Sequence, residues 1–274
     1  MRLYRTTAGP AVELEGRFHP LNDDWDDLFV RDHLAAHLRA AVEGRTGEQE
    51  APGELLAPVG AQEVWAAGVT YHRSREARIE ESKGAGGGSF YDRVYEAERP
   101  ELFFKAAGWR VRGPGRPIRV RRDARWSVPE PELALCVDPG GRIFGYTLGN
   151  DVSSRDIEGE NPLYLPQAKV YDGACALGPG ILITDEPLPP DTPIGLRIRR
   201  DGRTAFEGNT AVSAMRRRPD ELVSWLRREL TFPQGVVLLT GTGVIPGDDV
   251  RLQPGDEAEV RSPAIGRLVN RVES

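Results

Sequence analysis

Residues 126–180 read WSVPEPELALCVDPGGRIFGYTLGNDVSSRDIEGENPLYLPQAKVYDGACALGPG, and this stretch decides the fold. It opens on two carboxylates one residue apart, Glu130 and Glu132, with Pro131 between them. A proline fixes its own φ and pushes the residue before it towards extended backbone, so the pair sits on a strand rather than a helix. Residues i and i+2 of a strand point to one face, with Cα atoms about 6.5–7 Å apart. Both carboxylates can therefore reach one cation. Leu133 to Val137 continue as an apolar run, and Asp138-Pro139-Gly140-Gly141 is a turn. Residues 143–148 return as a second strand, which makes a β-hairpin. The return ends in Asn150-Asp151, so a third carboxylate, Asp151, is delivered beside Glu130 and Glu132. A bare Glu-x-Glu is ordinarily a solvated edge pair; the returning acid is what singles this one out. Three oxygen donors with no nearby His or Cys suit a hard cation, Mg²⁺ or Mn²⁺ rather than Zn²⁺. An octahedral ion so held keeps about three positions for water or substrate.

The composition is that of a globular protein. The 274 residues are 39% hydrophobic and 28% charged, with a net charge of −6. That balance argues against a nucleic-acid surface, and the short arginine runs at 119–122 and 216–218 do not reverse it. Cys136 and Cys175 read as buried free thiols. No apolar stretch approaches the length of a membrane span and no signal-peptide run opens the chain, so a cytoplasmic enzyme with no membrane partner is expected.

Working outward, residues 1–18 read as short strands. Asn22, Asp23 or Asp24 can cap a helix starting near Trp25. An apolar stripe then runs from Leu28 to Val42, with Gly44 as terminator. His33 and His37 share a face of that helix, but no Glu or Cys completes a metal site, so their role is structural. Residues 43–60, EGRTGEQEAPGELLAPVG, read as a linker. The expected division is a small N-terminal α+β domain, 1–60, and a catalytic domain, 61–274. Residues 64–69 form a strand. Helical composition begins near Ser74 and is interrupted by GAGGGS at 84–89, a surface loop or active-site lid. Residues 102–105 read as a strand whose final lysine, Lys105, either snorkels outward or faces an anion. Asp201-Gly202 is a hairpin turn, 219–230 an amphipathic helix, and 236–239 an apolar strand running into Thr240-Gly241-Thr242-Gly243. Strands outnumber helices and rarely alternate with them, which predicts a mixed, mostly β member of the α+β class rather than a Rossmann or barrel fold.

Together these motifs resemble the fumarylacetoacetate hydrolase superfamily. The likeness is carried by Glu130-x-Glu132, GYTLGNDVSSRD (145–156), AKVYDG (168–173), LGPG (177–180) and LLTGTG (238–243). It implies a mixed β-roll, usually dimeric, with Mg²⁺ on Glu130, Glu132 and Asp151 and with Lys169 in the substrate pocket. The carbon–carbon hydrolases of that superfamily carry Gly-x-Asn-Tyr with a His three residues after the Tyr. Here Gly68-Val-Thr-Tyr71 is followed by Ser74 at the histidine position, and His72 is displaced by two residues. The segments GVTYxxSREAR, YDRVYEAERPELFFKA, PEPELA and ENPLYLPQAK resemble instead the branch that dehydrates 2-keto-3-deoxy-D-arabinonate to 2-oxoglutarate semialdehyde.

That resemblance implies a small 2-keto sugar acid as ligand and a homodimer or homotetramer as assembly. A 2-keto acid offers two oxygens to one Mg²⁺, a Lewis acid for the charge left when a C3 proton departs. Lys169 is the expected base or enolate-stabilising group, with Glu76 as second acid–base candidate. Ser74, Arg155, Lys105 and Thr242 are expected to bind substrate or support the site. Two alternatives remain at this level: a hydrolase of acylpyruvates or 2,4-diketo acids on the same metal site, and a non-catalytic ligand-binding dimer.

Overall fold

The structure is a computed structural model and describes residues 1–74 and 93–273. Strands β1 (Arg2–Thr6), β2 (Gly9–Leu14) and β3 (Arg17–Pro20) form an opening meander. Helices α1 (Trp25–Phe29) and α2 (Leu34–Val42) follow. Asp24 caps α1 through a bond from the Asp26 N–H. The sequence predicts one helix here; the structure has two. His33 adopts φ +53°, and this left-handed residue breaks the stripe. Its neighbour His37 bonds Asp23 at 2.8 Å, a structural contact as expected.

The hairpin forms as its sequence dictates. Strands β8 (Pro131–Val137) and β9 (Ile143–Asp151) pair antiparallel, with Glu132 opposite Gly149 and Pro131 opposite Asn150. Asp138 accepts from the Arg142 N–H at 2.9 Å, and Gly141 takes the positive φ of +91° that closes the turn. Around it lie β4 (Glu63–Gly68), β5 (Glu101–Ala107), β11 (Cys175–Ile183) and β14 (Val236–Leu239). These join the meander in one nine-stranded sheet, in the order β3-β2-β1-β11-β9-β8-β14-β4-β5. The 1–60 segment thus continues the sheet through β1, which pairs with β11.

A second, five-stranded sheet contains β12 (Pro193–Arg200), β13 (Arg203–Ala211), β15 (Glu257–Ser262), β16 (Gly266–Glu273) and the short β6 (Ile118–Arg119). Asp201-Gly202 joins β12 to β13 with both residues at positive φ, as that dipeptide predicts. The predicted 219–230 helix runs over Pro219–Leu226.

Strand β8 is buried along its whole length because both of its faces are covered. Leu133, Leu135 and Val137 pack with Leu196, Ile198, Val260 and Leu268 of the second sheet. Ala134 and Cys136 face the other way, against Leu28, Phe29, Leu34 and Leu38 of the helices. A strand enclosed on both sides reads as an unbroken apolar run, which is what 133–137 is. Both cysteines are free and buried, as the sequence predicts. Burial pushes both thiols up, that of Cys175 to about 12. The architecture is a mixed, mostly β roll.

Candidate active site

Glu130 and Glu132 lie on the helix-facing side of the hairpin, and Asp151 reaches the same side from β9. The Asp151 N–H donates to the Glu130 carbonyl at 3.0 Å, which extends the pairing one step past the strand end. One carboxylate oxygen from each of Glu130, Glu132 and Asp151 lies within 4.8 Å of the others. All three side chains are buried. Buried carboxylates need charge partners or a metal, and here cations converge on them. The Lys169 ammonium is 2.9 Å from Glu130 Oε2, 2.9 Å from Asp151 Oδ2 and 2.6 Å from Ser153 Oγ. Arg155 donates to Glu130 Oε1 at 2.8 Å. The Gly241 N–H donates to Glu132 Oε2 at 2.6 Å. Burial, then the charges of Asp151 and Glu130, push the Glu132 carboxyl well above its ordinary value.

The elements explain why these groups meet. Lys169 ends helix α4 (Leu165–Lys169), and Arg155 starts α3 (Arg155–Glu160). Ser153 follows Asp151 by two residues, in the short β10 (Ser153–Ser154) that pairs with β7 (Ser127–Val128), and so shares its side. Lys105 occupies a bulge in the β4–β5 pairing, between Val64 opposite Ala106 and Trp65 opposite Phe104. Bulges beside sites re-aim a side chain. The Lys105 ammonium is 2.5 Å from Asp151 Oδ1, and it donates to the main-chain carbonyls of Lys169 at 2.5 Å and Val152 at 3.2 Å. Of the two readings the sequence left open, Lys105 takes the one that faces an anion. Its partners are a site acid and the backbone of the site lysine.

A small cavity is lined by Glu130, Glu132, Asp151, Arg155, Lys169, Ser74, Phe103 and Thr242, among others. The predicted residues Arg155, Lys169, Ser74 and Thr242 are thus brought together at the three acids, while Lys105 stands behind them. Ser74 Oγ donates to the Tyr71 carbonyl at 2.7 Å and accepts from the Tyr71 N–H at 3.2 Å. Thr242 Oγ1 donates to the Val244 carbonyl at 3.2 Å and accepts from its N–H at 3.1 Å. His72 is exposed and turns its ring edge-on to Tyr95, 6.1 Å away. Glu76 and the GAGGGS segment lie outside the described residues. Sequence reasoning missed Phe103 and Ser153 as site groups; the 240–243 loop offers backbone N–H groups to a carboxylate, and the structure shows that carboxylate to be Glu132. Phe103 places its ring 5.7 Å from the Lys169 ammonium. Period-two spacing from Asp151 to Ser153, and from Phe103 to Lys105, was the available signal.

Fold and site together define a β-roll built round a buried cluster of three carboxylates that could hold a cation. The profile of the fumarylacetoacetate (FAA) hydrolase C-terminal family matches residues 64–273, and the chain belongs to that family. It is 45% identical over 220 residues to a 2-dehydro-3-deoxy-D-arabinonate dehydratase of Saccharolobus solfataricus, covering 80% of this chain and 74% of that one. It is 49% identical over 216 residues to a probable 2-keto-3-deoxyxylonate dehydratase of Haloferax volcanii, covering 78% and 73%. A solved structure of 2-keto-3-deoxy-D-arabinonate dehydratase complexed with magnesium and 2,5-dioxopentanoate superposes with a TM-score of 0.83 at 34% identity, covering 100% of this chain and 99% of that one. Among the described residues, no helix is long and apolar enough to cross a membrane.

Proposed function

We propose that this chain is a Mg²⁺-dependent hydro-lyase that removes water from a 2-keto-3-deoxy sugar acid, 2-keto-3-deoxy-D-arabinonate or a close relative, to give 2,5-dioxopentanoate. The observation that carries this reading is the convergence of Glu130, Glu132 and Asp151 on one buried point with Lys169 against two of them. An all-oxygen donor set of this kind fits Mg²⁺, with Mn²⁺ as the natural substitute. Bound there, Mg²⁺ supplies Lewis-acid stabilisation for negative charge on the substrate's keto oxygen.

The charges at the site favour an anionic substrate. To accept the C3 proton Lys169 acts as the neutral amine, so three acids then face two cations, Lys105 and Arg155, and a divalent ion would leave the cluster with one excess positive charge. A substrate carboxylate offsets that charge, and transfer of the C3 proton to Lys169 then develops negative charge on the substrate beside a new ammonium. The transition state is thus better matched than the ground state, which is the condition for rate acceleration.

Lys169 is assigned the proton transfer at C3: its neutral amine takes the proton, and Glu130 and Asp151 lie beside the ammonium so formed. Ser153 Oγ and Phe103 hold that ammonium in place. Glu76, two residues along the chain from Ser74, is assigned the second acid–base role, at the C4 hydroxyl that leaves or at C5. Arg155 orients Glu130 and borders the substrate; Ser74 and Thr242 border it as well. Lys105 holds Asp151 and the Lys169 backbone. The chain is proposed to act as a homodimer or homotetramer in the cytoplasm.

The competing reading is carbon–carbon hydrolysis, which needs a base to activate water. Ser74 stands at that base's position with its hydroxyl tied to the Tyr71 backbone, and His72 points at Tyr95. Both observations favour elimination. The test is Mg²⁺-dependent aldehyde formation from 2-keto-3-deoxy-D-arabinonate, abolished by a chelator and restored by Mg²⁺. Aldehyde formed equally well in excess chelator would overturn the metal-dependent reading.

A further inference from the structure

The metal-binding face of Glu132 depends on a bond two steps removed. Strand β14 runs parallel to β4, and their ladder ends at Leu239 opposite Ala66. Beyond that point the link is made by a side chain. Thr70, fully buried, donates from Oγ1 to the Thr240 carbonyl at 2.6 Å. On its other side Thr240 is fixed to β8, because both its N–H and its hydroxyl donate to the Leu133 carbonyl, at 3.0 and 2.9 Å. The next residue is Gly241, whose N–H holds Glu132 Oε2.

Two backbone features bring Thr70 over this turn. Val69 adopts φ +52°, a left-handed conformation that a β-branched residue rarely takes. Strain of this kind persists only where surrounding contacts fix it, and it clusters at functional sites. Gly241 has φ +85°, and a Cβ there would lie 2.1 Å from Thr70 Oγ1, so this close approach requires glycine. The Thr70 carbonyl is itself held by the Arg216 N–H at 2.9 Å.

We propose that Thr70 is a positioning residue for the acidic centre. Its hydroxyl fixes the Thr240–Gly241 peptide, the Gly241 N–H then occupies one oxygen of Glu132, and the other oxygen is left aimed at Glu130 and Asp151. This inference rests on the reading of those three acids as a cation site.

The test compares Thr70→Val, which keeps shape but loses the hydroxyl, with Thr70→Ser, which keeps the hydroxyl. Mn²⁺ is titrated calorimetrically into each purified full-length protein, and hydrogen exchange of the peptide spanning 240–243 is measured without metal. Removing an outer-shell partner typically costs about 10–100-fold in metal affinity, and the lower end is expected for Thr70→Val. Thr70→Ser should stay within about threefold of the unsubstituted protein, as expected when the outer-shell hydrogen bond is retained. Exchange at 240–243 should quicken in the valine variant alone. Unchanged Mn²⁺ affinity in Thr70→Val would overturn the proposal, as would equal loss in both variants. Should the valine variant fail to fold, a serine variant that folds but loses Mn²⁺ affinity overturns it, and one that keeps affinity and slow exchange supports it. Absence of Mn²⁺ binding by the unsubstituted protein would overturn the cation-site reading itself.

Discussion

Lys105 and Lys169, 64 residues apart in the chain, are joined by a hydrogen bond of 2.5 Å from the ammonium of the first to the main-chain carbonyl of the second. The same ammonium lies 2.5 Å from Asp151 Oδ1. One bulged residue of β5 therefore fixes both Asp151 and the backbone that carries Lys169, the proposed proton-transfer residue. Removing one member of a buried ion pair costs about 3–5 kcal/mol, because the other charge stays buried and uncompensated. Lys105→Met should lower the stability of the metal-free protein by that order in denaturant unfolding. Excess Mg²⁺ should recover part of the loss, since it supplies positive charge to the same acid. A variant as stable as the parent without metal would contradict this role.

Glu132→Gln and Asp151→Asn each remove one anionic oxygen with little change in volume. We expect folded proteins whose Mg²⁺ affinity falls by about 100-fold or more, and whose turnover falls with it. Circular dichroism establishes the fold, and calorimetric titration reads the affinity. Parent-like affinity in either variant would remove the metal assignment.

Lys169→Ala separates chemistry from metal binding. Proton transfer by a positioned side chain contributes about 10²–10⁴-fold, so kcat should drop within that range. Mg²⁺ binding should hold or tighten, because an ammonium 2.9 Å from both Glu130 and Asp151 competes for the same oxygens. Single-turnover kinetics at saturating Mg²⁺ decides it; near-normal kcat would withdraw the proton-transfer role.

The raised Glu132 carboxyl has a pH consequence. Burial first, then Asp151 and Glu130, favour its protonated form in the folded chain. A group raised on folding contributes stability that is full below its ordinary value of 4.5 and is lost as pH climbs through the raised one. A cation bound at the three acids reverses this preference, so Mg²⁺ binding should release a proton. The Mg²⁺-induced rise in Tm should be smallest at low pH, where Glu132 is protonated, and should grow as pH climbs through its raised value. A rise independent of pH would show that Glu132 is ionised before the metal arrives.

Much of this was legible in residues 126–180 because the hairpin is local. Pro131, the Asp138–Gly141 turn and the period-two spacing of Glu130 and Glu132 are short-range signals, and the structure places all three acids as they imply. The cations were less legible. Lys105, Arg155 and Lys169 come from three separate elements, and no local pattern states that Lys105 sits in a bulge aimed at Asp151. The break at His33 was hidden because apolar spacing constrains a helix face, not the φ of one residue. The bond from Gly241 to Glu132 joins positions 109 residues apart, which only the packing of β14 against β8 determines. The family resemblance carried what local reading did not, above all Lys169.

The proposed reaction eliminates water and leaves every carbon–carbon bond intact. The direct test incubates the protein and Mg²⁺ with 2-keto-3-deoxy-D-arabinonate and, separately, with an acylpyruvate, and identifies the products by mass spectrometry. With Ser74 tied to the Tyr71 backbone in place of a water-activating base, we predict a single product one water lighter from the sugar acid and an acylpyruvate left intact. Pyruvate and a second acid from the acylpyruvate, with the sugar acid untouched, would make the protein a carbon–carbon hydrolase instead.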